Sequence, residues 1–362
     1  MNKRNFIRFS ALFLASSTLP IATSGSSPRA VKATSFPDPI FIPTNNITLA
    51  VYKLGKGFPI IFCHGFPELA FSWRYQMNAV AKAGYQAIAP DLRGYGQSDQ
   101  PRDISAYATT EVCDDLVGMM DHMGLEQAVF CGHDWGSFVV DTMALLYPNR
   151  CAGLINIGGP HNFRPKDLPP AHTSVKEVVD KPAYNRFMQQ PEAPEKLLNR
   201  NVETFFRTFF RKDYLTTTNL SKLPVEAPER KLDLATMMAS TQPKDPLFIS
   251  ETALKVYIET FSRTGFDGGI NWYRAMPKTW EELQKRKLHW GLNIPYLYLW
   301  PSQDPINPLG LKVGLEDYIE NLQAFAIEDS GHFVMEEKPQ EVSSRIINWL
   351  SQNFSNQAAR KY

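Results

Sequence analysis

Gln127-Ala128-Val129-Phe130-Cys131, then Gly132-His133-Asp134-Trp135-Gly136, then a helix-like run over residues 137–147, is the stretch on which the reading of this chain turns. The short apolar run reads as a buried strand, and the residues after Gly136 carry a helical period. Between them, two glycines allow a turn too tight for a Cβ, which lifts the central side chain off the end of the strand. Strand, sharp turn and helix are therefore expected, with Asp134 directed into a cavity. A carboxylate with a reference pKa of about 4 is ionised at neutral pH and needs no base before it attacks. It can attack saturated carbon and leave an ester whose carbonyl water can reach, whereas serine at this place would leave an ether.

Working outward, Pro59-Ile60-Ile61-Phe62-Cys63 is too uniformly apolar for a sheet with one face in water and reads as central and parallel. It runs into His64-Gly65-Phe66-Pro67-Glu68. Residues 40–42 and 47–52 read as two early strands turning at Asn45-Asn46, 71–82 as a helix, 85–90 as a strand, 109–123 as an amphipathic helix and 151–157 as a strand. The loop from Asp91 to Asp99 has neither Gly-Lys-Ser nor Gly-x-Gly-x-x-Gly and reads as structural. His64 has no second metal-ligand type nearby and reads as a residue that orders its loop.

From about His161 prolines crowd in, and helix-like segments such as 203–212 and 251–263 follow without β-rich runs between them. Residues 161–292 are expected to form a helical lid, between a first part of the core over 31–160 and a second over 293–362. The core resumes with a strand over 294–300 that leads to Asp304, and ends with a strand over 324–327 that leads to His332. Asp134, Asp304 and His332 each follow a strand, at the sheet end where open α/β sheets bind ligands, in the order nucleophile, acid, histidine. That order resembles the α/β-hydrolase fold: a mostly parallel sheet flanked by helices, here with an inserted helical lid and with Asp in place of Ser at the nucleophile elbow. In that fold two backbone amides form the oxyanion hole, which assigns Phe66 and Trp135.

The chain has 362 residues, 43% of them hydrophobic, and a net charge of +1 without a basic block, so neither nucleic acid nor anionic lipid is expected as a partner. Residues 1–30 read as an export signal and flexible tail: a basic start, a short apolar middle and small residues after it. Lys3-Arg4-Asn5-Phe6-Ile7 resembles a twin-arginine motif with Lys in the first position. The expectation is export to the periplasm, with cleavage between Ala22 and Ala33 and no stable membrane association afterwards; the alternative is a tail on a cytoplasmic enzyme. Cys63, Cys113, Cys131 and Cys151 show neither metal spacing nor a redox pair, and buried free thiols are expected. No metal and no cofactor is implied.

His64-Gly65-Phe66-Pro67-Glu68, Gly132-His133-Asp134-Trp135-Gly136, Asn271-Trp272-Tyr273-Arg274 and Gly331-His332 together resemble the soluble epoxide hydrolases, over about residues 40–352. The resemblance implies a mechanism. Asp134 attacks an epoxide carbon while two lid tyrosines hold the leaving oxygen, and His332, oriented by Asp304, then directs water onto the aspartyl ester to release a vicinal diol. It assigns the tyrosines as Tyr184, in Tyr184-Asn185-Arg186-Phe187-Met188-Gln189-Gln190-Pro191 with Met188 in an aromatic slot, and Tyr273. The substrate expected is a small apolar epoxide; Phe205, Phe206, Phe209 and Phe210 suit an apolar pocket but at helical spacing suit a lid core equally. A haloalkane dehalogenase would share the Asp nucleophile and use the Trp135 indole for halide, but would leave both tyrosines without a role and would favour Asn where Phe66 stands. An esterase would need Ser at position 134. A non-catalytic protein that binds a hydrophobic ligand would have no use for the nucleophile, acid and histidine.

Overall fold

The computed structural model describes residues 36–159, 183–240, 243–286, 288, 291–306 and 315–358; the expected export segment and residues 161–182 of the expected lid lie outside them. One sheet organises the described residues. Its strands are β1 (Ile40–Thr44), β2 (Ile47–Leu54), β3 (Pro59–Cys63), β4 (Gln86–Pro90), β5 (Ala128–His133), β6 (Cys151–Ile157), β7 (Tyr296–Pro301) and β8 (Leu322–Ile327). They lie in the order β1-β2-β4-β3-β5-β6-β7-β8. The first two strands pair antiparallel, as does β2 with β4, and the pairings from β4 through β3 to β8 are parallel.

The uniformly apolar runs become the strands buried on both faces. Ile61, Cys63 and Phe130 point into one apolar cluster, and Ile60, Phe62, Val129 and Cys131 into the other, the alternation that a pleated strand imposes. The second cluster is closed by α1 (Arg74–Lys82), through Met77 and Val80, and by the C-terminal helix, through Val342, Ile346 and Trp349. The first is closed by α2 (Thr109–His122), through Leu116 and Met119, and by α3 (Trp135–Leu146), through Val139 and Val140. All four cysteines are free and buried, and burial pushes their thiols up, away from the reactive thiolate.

Between β6 and β7 the described residues form helices: α4 (Ala183–Met188), α5 (Ala193–Leu198), α6 (Val202–Phe209), α7 (Thr217–Ser221), α8 (Pro228–Lys231), α9 (Leu234–Ala239), α10 (Glu251–Thr264) and α11 (Asp267–Lys285). Extended pairing within this stretch is a single bridge, Arg211 to Leu247. Helix α11 continues through Pro277, so the proline does not end it. After β8 come α12 (Val334–Glu337) and α13 (Pro339–Ala358). No helix among the described residues is long and apolar enough to cross a membrane.

Register positions the site. Cys63 pairs with Gly132 across β3 and β5, so the loop holding Phe66 and the turn holding Asp134 leave the sheet side by side. Pro301 pairs with Ile327, so the loops carrying Asp304 and His332 leave together as well.

Candidate active site

Asp134 sits at φ 51°, ψ −117°, a left-handed backbone that an aspartate holds only when its surroundings force it. The force is close packing. A Cβ on Gly132 would lie 2.2 Å from the Gly136 carbonyl oxygen, and one on Gly136 would lie 2.0 Å from that of Cys63. The turn delivers the carboxylate to the mouth of the Phe66 loop, where the Phe66 amide donates to Asp134 Oδ1 at 2.8 Å. Trp135 is the first residue of α3, so its amide belongs to the orphan donors at a helix start.

The other oxygen, Oδ2, faces His332 Nε2 at 3.6 Å. On its far side the imidazole meets Asp304: His332 Nδ1 lies 2.9 Å from Oδ2 of the acid, whose Oδ1 accepts from the Ile306 amide at 2.8 Å. Asp304 is 1% exposed, so its carboxylate is fixed between these partners. Burial opposes charge on His332, but the carboxylates of Asp304 and Asp134 outweigh it and raise the imidazole well above its ordinary range. Burial likewise pushes Asp134 up, yet the nearby His332, with His133 and the Phe66 amide, brings it below the usual carboxylate value. Each group thus favours the charged form of the other, carboxylate facing imidazolium.

Tyr184, from α4, and Tyr273, from α11, stand over this pair with ring centroids 6.1 Å apart, edge to face. Tyr273 also stands edge-on to Phe66 at 5.4 Å and to Trp135 at 4.9 Å. Burial first, then neighbouring negative charge that includes Asp134, raises both phenols well above 10, so each is a donor throughout the physiological range. The polar neighbours Tyr273, for Tyr184, and Trp135, for Tyr273, act weakly in the opposite direction.

Asp134, His332, Tyr184 and Tyr273 line one cavity with about 840 Å³ of atom-free space, counted with its mouth. Its walls are largely apolar, from Phe66, Phe205, Phe209, Leu215, Leu232, Leu234, Phe248 and Phe333, with Arg211, Asp213, Thr216 and Glu337 as polar points. The four lid phenylalanines divide: Phe205 and Phe209 face the cavity, while Phe206 and Phe210 are buried among Tyr257, Phe261 and Phe248. Among the described residues no group of three or more His, Cys, Asp or Glu side chains is placed to hold a metal ion.

His64 is fully buried, accepts from the Leu92 amide at Nε2 (3.0 Å) and so donates from Nδ1 to the Gly65 carbonyl (2.9 Å), which orders the loop that offers the Phe66 amide. The Asp91–Asp99 loop is held in the same manner, Asp91 accepting from the amides of Ala70 and Gln97 at 3.0 Å each.

Several supports escape a reading of the sequence. Glu68 Oε2 accepts from the Gly65 amide at 2.7 Å. Its Oε1 lies 3.0 Å from His133 Nδ1, without the alignment of a hydrogen bond. His133 Nε2 in turn donates to the His332 carbonyl at 2.8 Å. Glu337 Oε2 accepts from the Gly331 amide at 2.8 Å and so pins the residue before the histidine. The Gln303 amide oxygen accepts from the Thr217 hydroxyl (2.9 Å), the Thr218 amide (3.1 Å) and the Thr218 hydroxyl (2.6 Å), which ties α7 to the neighbour of Asp304. The available signal was adjacency: Glu68, His133 and Gln303 stand within two positions of Phe66, Asp134 and Asp304.

Residues 59–339 match the family described as alpha/beta hydrolase fold. Over 345 residues the chain is 33% identical to bifunctional epoxide hydrolase 2 of Mus musculus, covering 90% of this chain and 60% of that protein. The chain thus spans a little over half the length of the mammalian relatives it matches. It is 32% identical to epoxide hydrolase A of Mycobacterium tuberculosis, covering 86% of this chain and 96% of that one. Among solved structures it is similar to epoxide hydrolase A of Mycobacterium thermoresistibile, with 31% identity, a TM-score of 0.73 and coverage of 87% and 98% of the two chains.

Proposed function

The chain belongs to the α/β-hydrolase family and, within it, to the epoxide hydrolases, and from that premise we propose that it opens an apolar epoxide to a vicinal diol through an ester on Asp134. Support comes chiefly from one arrangement: a carboxylate with one oxygen on the Phe66 amide and the other facing His332, under two protonated phenols.

In this reading Asp134 Oδ2 attacks one ring carbon and the C–O bond on that carbon breaks. The electron pair goes to the epoxide oxygen, which takes hydrogen bonds and then a proton from Tyr184 and Tyr273. Electrostatics assist the order of events. The Asp134 charge helps to hold the phenol protons and the His332 proton. Once Asp134 is esterified that charge is gone, so one phenol gives up its proton to the alkoxide more readily; His332 then sheds its own proton to solvent, the phenolate takes one up from solvent, and the imidazole is left neutral to act as a base. Water then attacks Asp134 Cγ as His332 Nε2 takes its proton. The oxyanion forms on Oδ1, where the Phe66 and Trp135 amides receive it, and collapse breaks the Cγ–Oδ2 bond. His332 returns a proton to the departing diol oxygen.

The halide-releasing alternative gives the two phenols that line the cavity with Asp134 nothing to do. Incubating His332→Gln with a styrene-type epoxide and weighing the peptide that contains Asp134 tests the reading. A stable adduct is expected. Halide release from haloalkanes with no diol from epoxides would favour dehalogenation, and ligand binding with neither adduct nor turnover would favour a binding protein.

A further inference from the structure

A second buried polar chain joins the lid to the core at a distance from Asp134 in sequence. Tyr257, on α10, is 1% exposed. Its phenol oxygen lies 2.8 Å from Ser72 Oγ and 3.0 Å from Glu336 Oε1. Glu336 is paired through both oxygens with the Arg74 guanidinium, itself buried. The directions follow from the groups. The carboxylate that faces Arg74 accepts, so Tyr257 spends its only proton on Glu336, and Ser72 must donate to the phenol oxygen. Ser72 Oγ in turn accepts from the Leu69 amide at 3.4 Å.

Each end of this chain belongs to a segment that carries a site residue. Ser72 is on the short 3-10 turn Ala70–Trp73 that follows the Phe66 loop. Glu336 is on α12, directly after His332 and Phe333. Tyr257 is on the helix that precedes α11, which carries Tyr273. Helix α11 has its own anchor elsewhere, Trp272 Nε1 donating to the Arg93 carbonyl at 3.1 Å. The α10–α11 pair has further hydrogen bonds to the core, Arg263 donating to the Gly96 carbonyl, Lys278 to the Ser105 carbonyl and the Thr109 amide to Thr279, and Tyr273 packs on the Phe66 ring; among the hydrogen bonds of the described residues, those of the Tyr257 hydroxyl are the ones that join this pair to both the Ser72 and the Glu336 segments.

We propose that Tyr257 is a positioning residue for the reaction: its hydroxyl sets the α10–α11 pair, and with it Tyr273, against the segments bearing Phe66 and His332, so that lid donor, nucleophile and base keep one geometry. This inference rests on the epoxide-opening reading above. The ring itself is held by its packing against Phe71, Phe206 and Phe210, so Tyr257→Phe removes the hydroxyl and leaves the apolar contacts.

The test is single-turnover alkylation of Asp134 by a styrene-type epoxide in the full chain, with kcat and KM alongside. Tyr257→Phe is expected to slow alkylation about tenfold, the scale of a small misplacement of reacting groups. Adding Ser72→Ala is expected to cost little more, since the same chain is already broken. A lowered melting temperature with unchanged alkylation and turnover, or losses from the two substitutions that simply multiply, overturns the proposal. Should Tyr257→Phe not fold, Ser72→Ala alone carries the same expectation. If the wild-type protein forms no adduct, the reading of the site fails, and amide hydrogen exchange then judges Tyr257 by itself. Faster exchange in both 251–264 and 331–337 of the variant supports the docking role, and a change confined to 251–264 overturns it.

Discussion

Replacing Tyr273 by Phe isolates the contribution of the lid to ring opening. The ring is 4% exposed and packed edge-on against Phe66, Trp135 and Tyr184, so the substitution deletes one oxygen and leaves the packing in place. Removing one donor from an oxyanion site costs about 3–4 kcal/mol when it acts alone. Here Tyr184 lines the same cavity beside Tyr273 and is expected to keep its own bond to that oxygen, so about 2–3 kcal/mol is the reasonable share, or roughly 30- to 150-fold in rate. In the proposed mechanism the loss belongs to alkylation, because there the phenols receive the departing epoxide oxygen, while the Phe66 amide and His332 serve hydrolysis of the ester. Rapid mixing of excess enzyme with epoxide, followed by the fluorescence of Trp135 beside the nucleophile, reads that step directly. Both phenols are raised well above 10, so the ratio of wild-type to variant rates is expected to stay level between about pH 6 and 9. Alkylation within twofold of wild type, or a loss confined to ester hydrolysis, would refute the assignment of Tyr273.

Asp304→Asn should leave alkylation nearly intact and slow ester hydrolysis by roughly 10³- to 10⁴-fold, as a mis-set imidazole does in other triads, so adduct mass accumulates on the Asp134 peptide. The same variant carries a pH signature. Asp304 helps to raise the folded-state pKa of His332, and that stabilisation is complete below about pH 6.5, the unfolded value, and is lost as pH rises through the folded value. The melting-temperature gap between wild type and variant should therefore be widest near about pH 6 and narrow toward alkaline pH. Phe206, fully buried away from the cavity, and Phe209, which lines it, should separate stability from specificity. Phe206→Ala is expected to cost about 3–5 kcal/mol in a denaturant titration, whereas Phe209→Ala should cost less and shift the preferred epoxide toward bulkier members of a substrate panel.

The fold was legible because its central strands are written as apolar runs that no half-exposed strand would tolerate, Pro59–Cys63 and Ala128–His133 among them. The site residues were legible because each stands at a strand end: Asp134, Asp304 and His332 after β5, β7 and β8. Tyr184 and Tyr273 gave no signal of that kind. They lie on helices, where a tyrosine is ordinarily a packing residue, and only resemblance to a family assigned them a task. The split of the phenylalanines was illegible, since Phe205 with Phe209 and Phe206 with Phe210 form two i, i+4 pairs on adjacent faces of α6 and its C-cap, and which pair meets the cavity depends on how α6 meets α10. The supports were hidden for a related reason. A contact such as Tyr257 with Ser72 and Glu336 joins residues far apart in the chain and leaves no local pattern. Glu68 and His133 lay inside quoted motifs, yet their partnership needs the pairing of β3 with β5 to bring the two loops together.

Everything proposed for this site depends on a covalent bond between Asp134 and the substrate, and the fate of one oxygen atom tests that bond. A single turnover in ¹⁸O-labelled water, with enzyme in excess over epoxide, should place the label in the Asp134 carboxylate and leave the diol unlabelled, because water attacks Cγ and the diol departs with the carboxylate's own oxygen. Label in the diol, with none in the peptide that contains Asp134, would mean that water attacks the epoxide directly and that no ester forms.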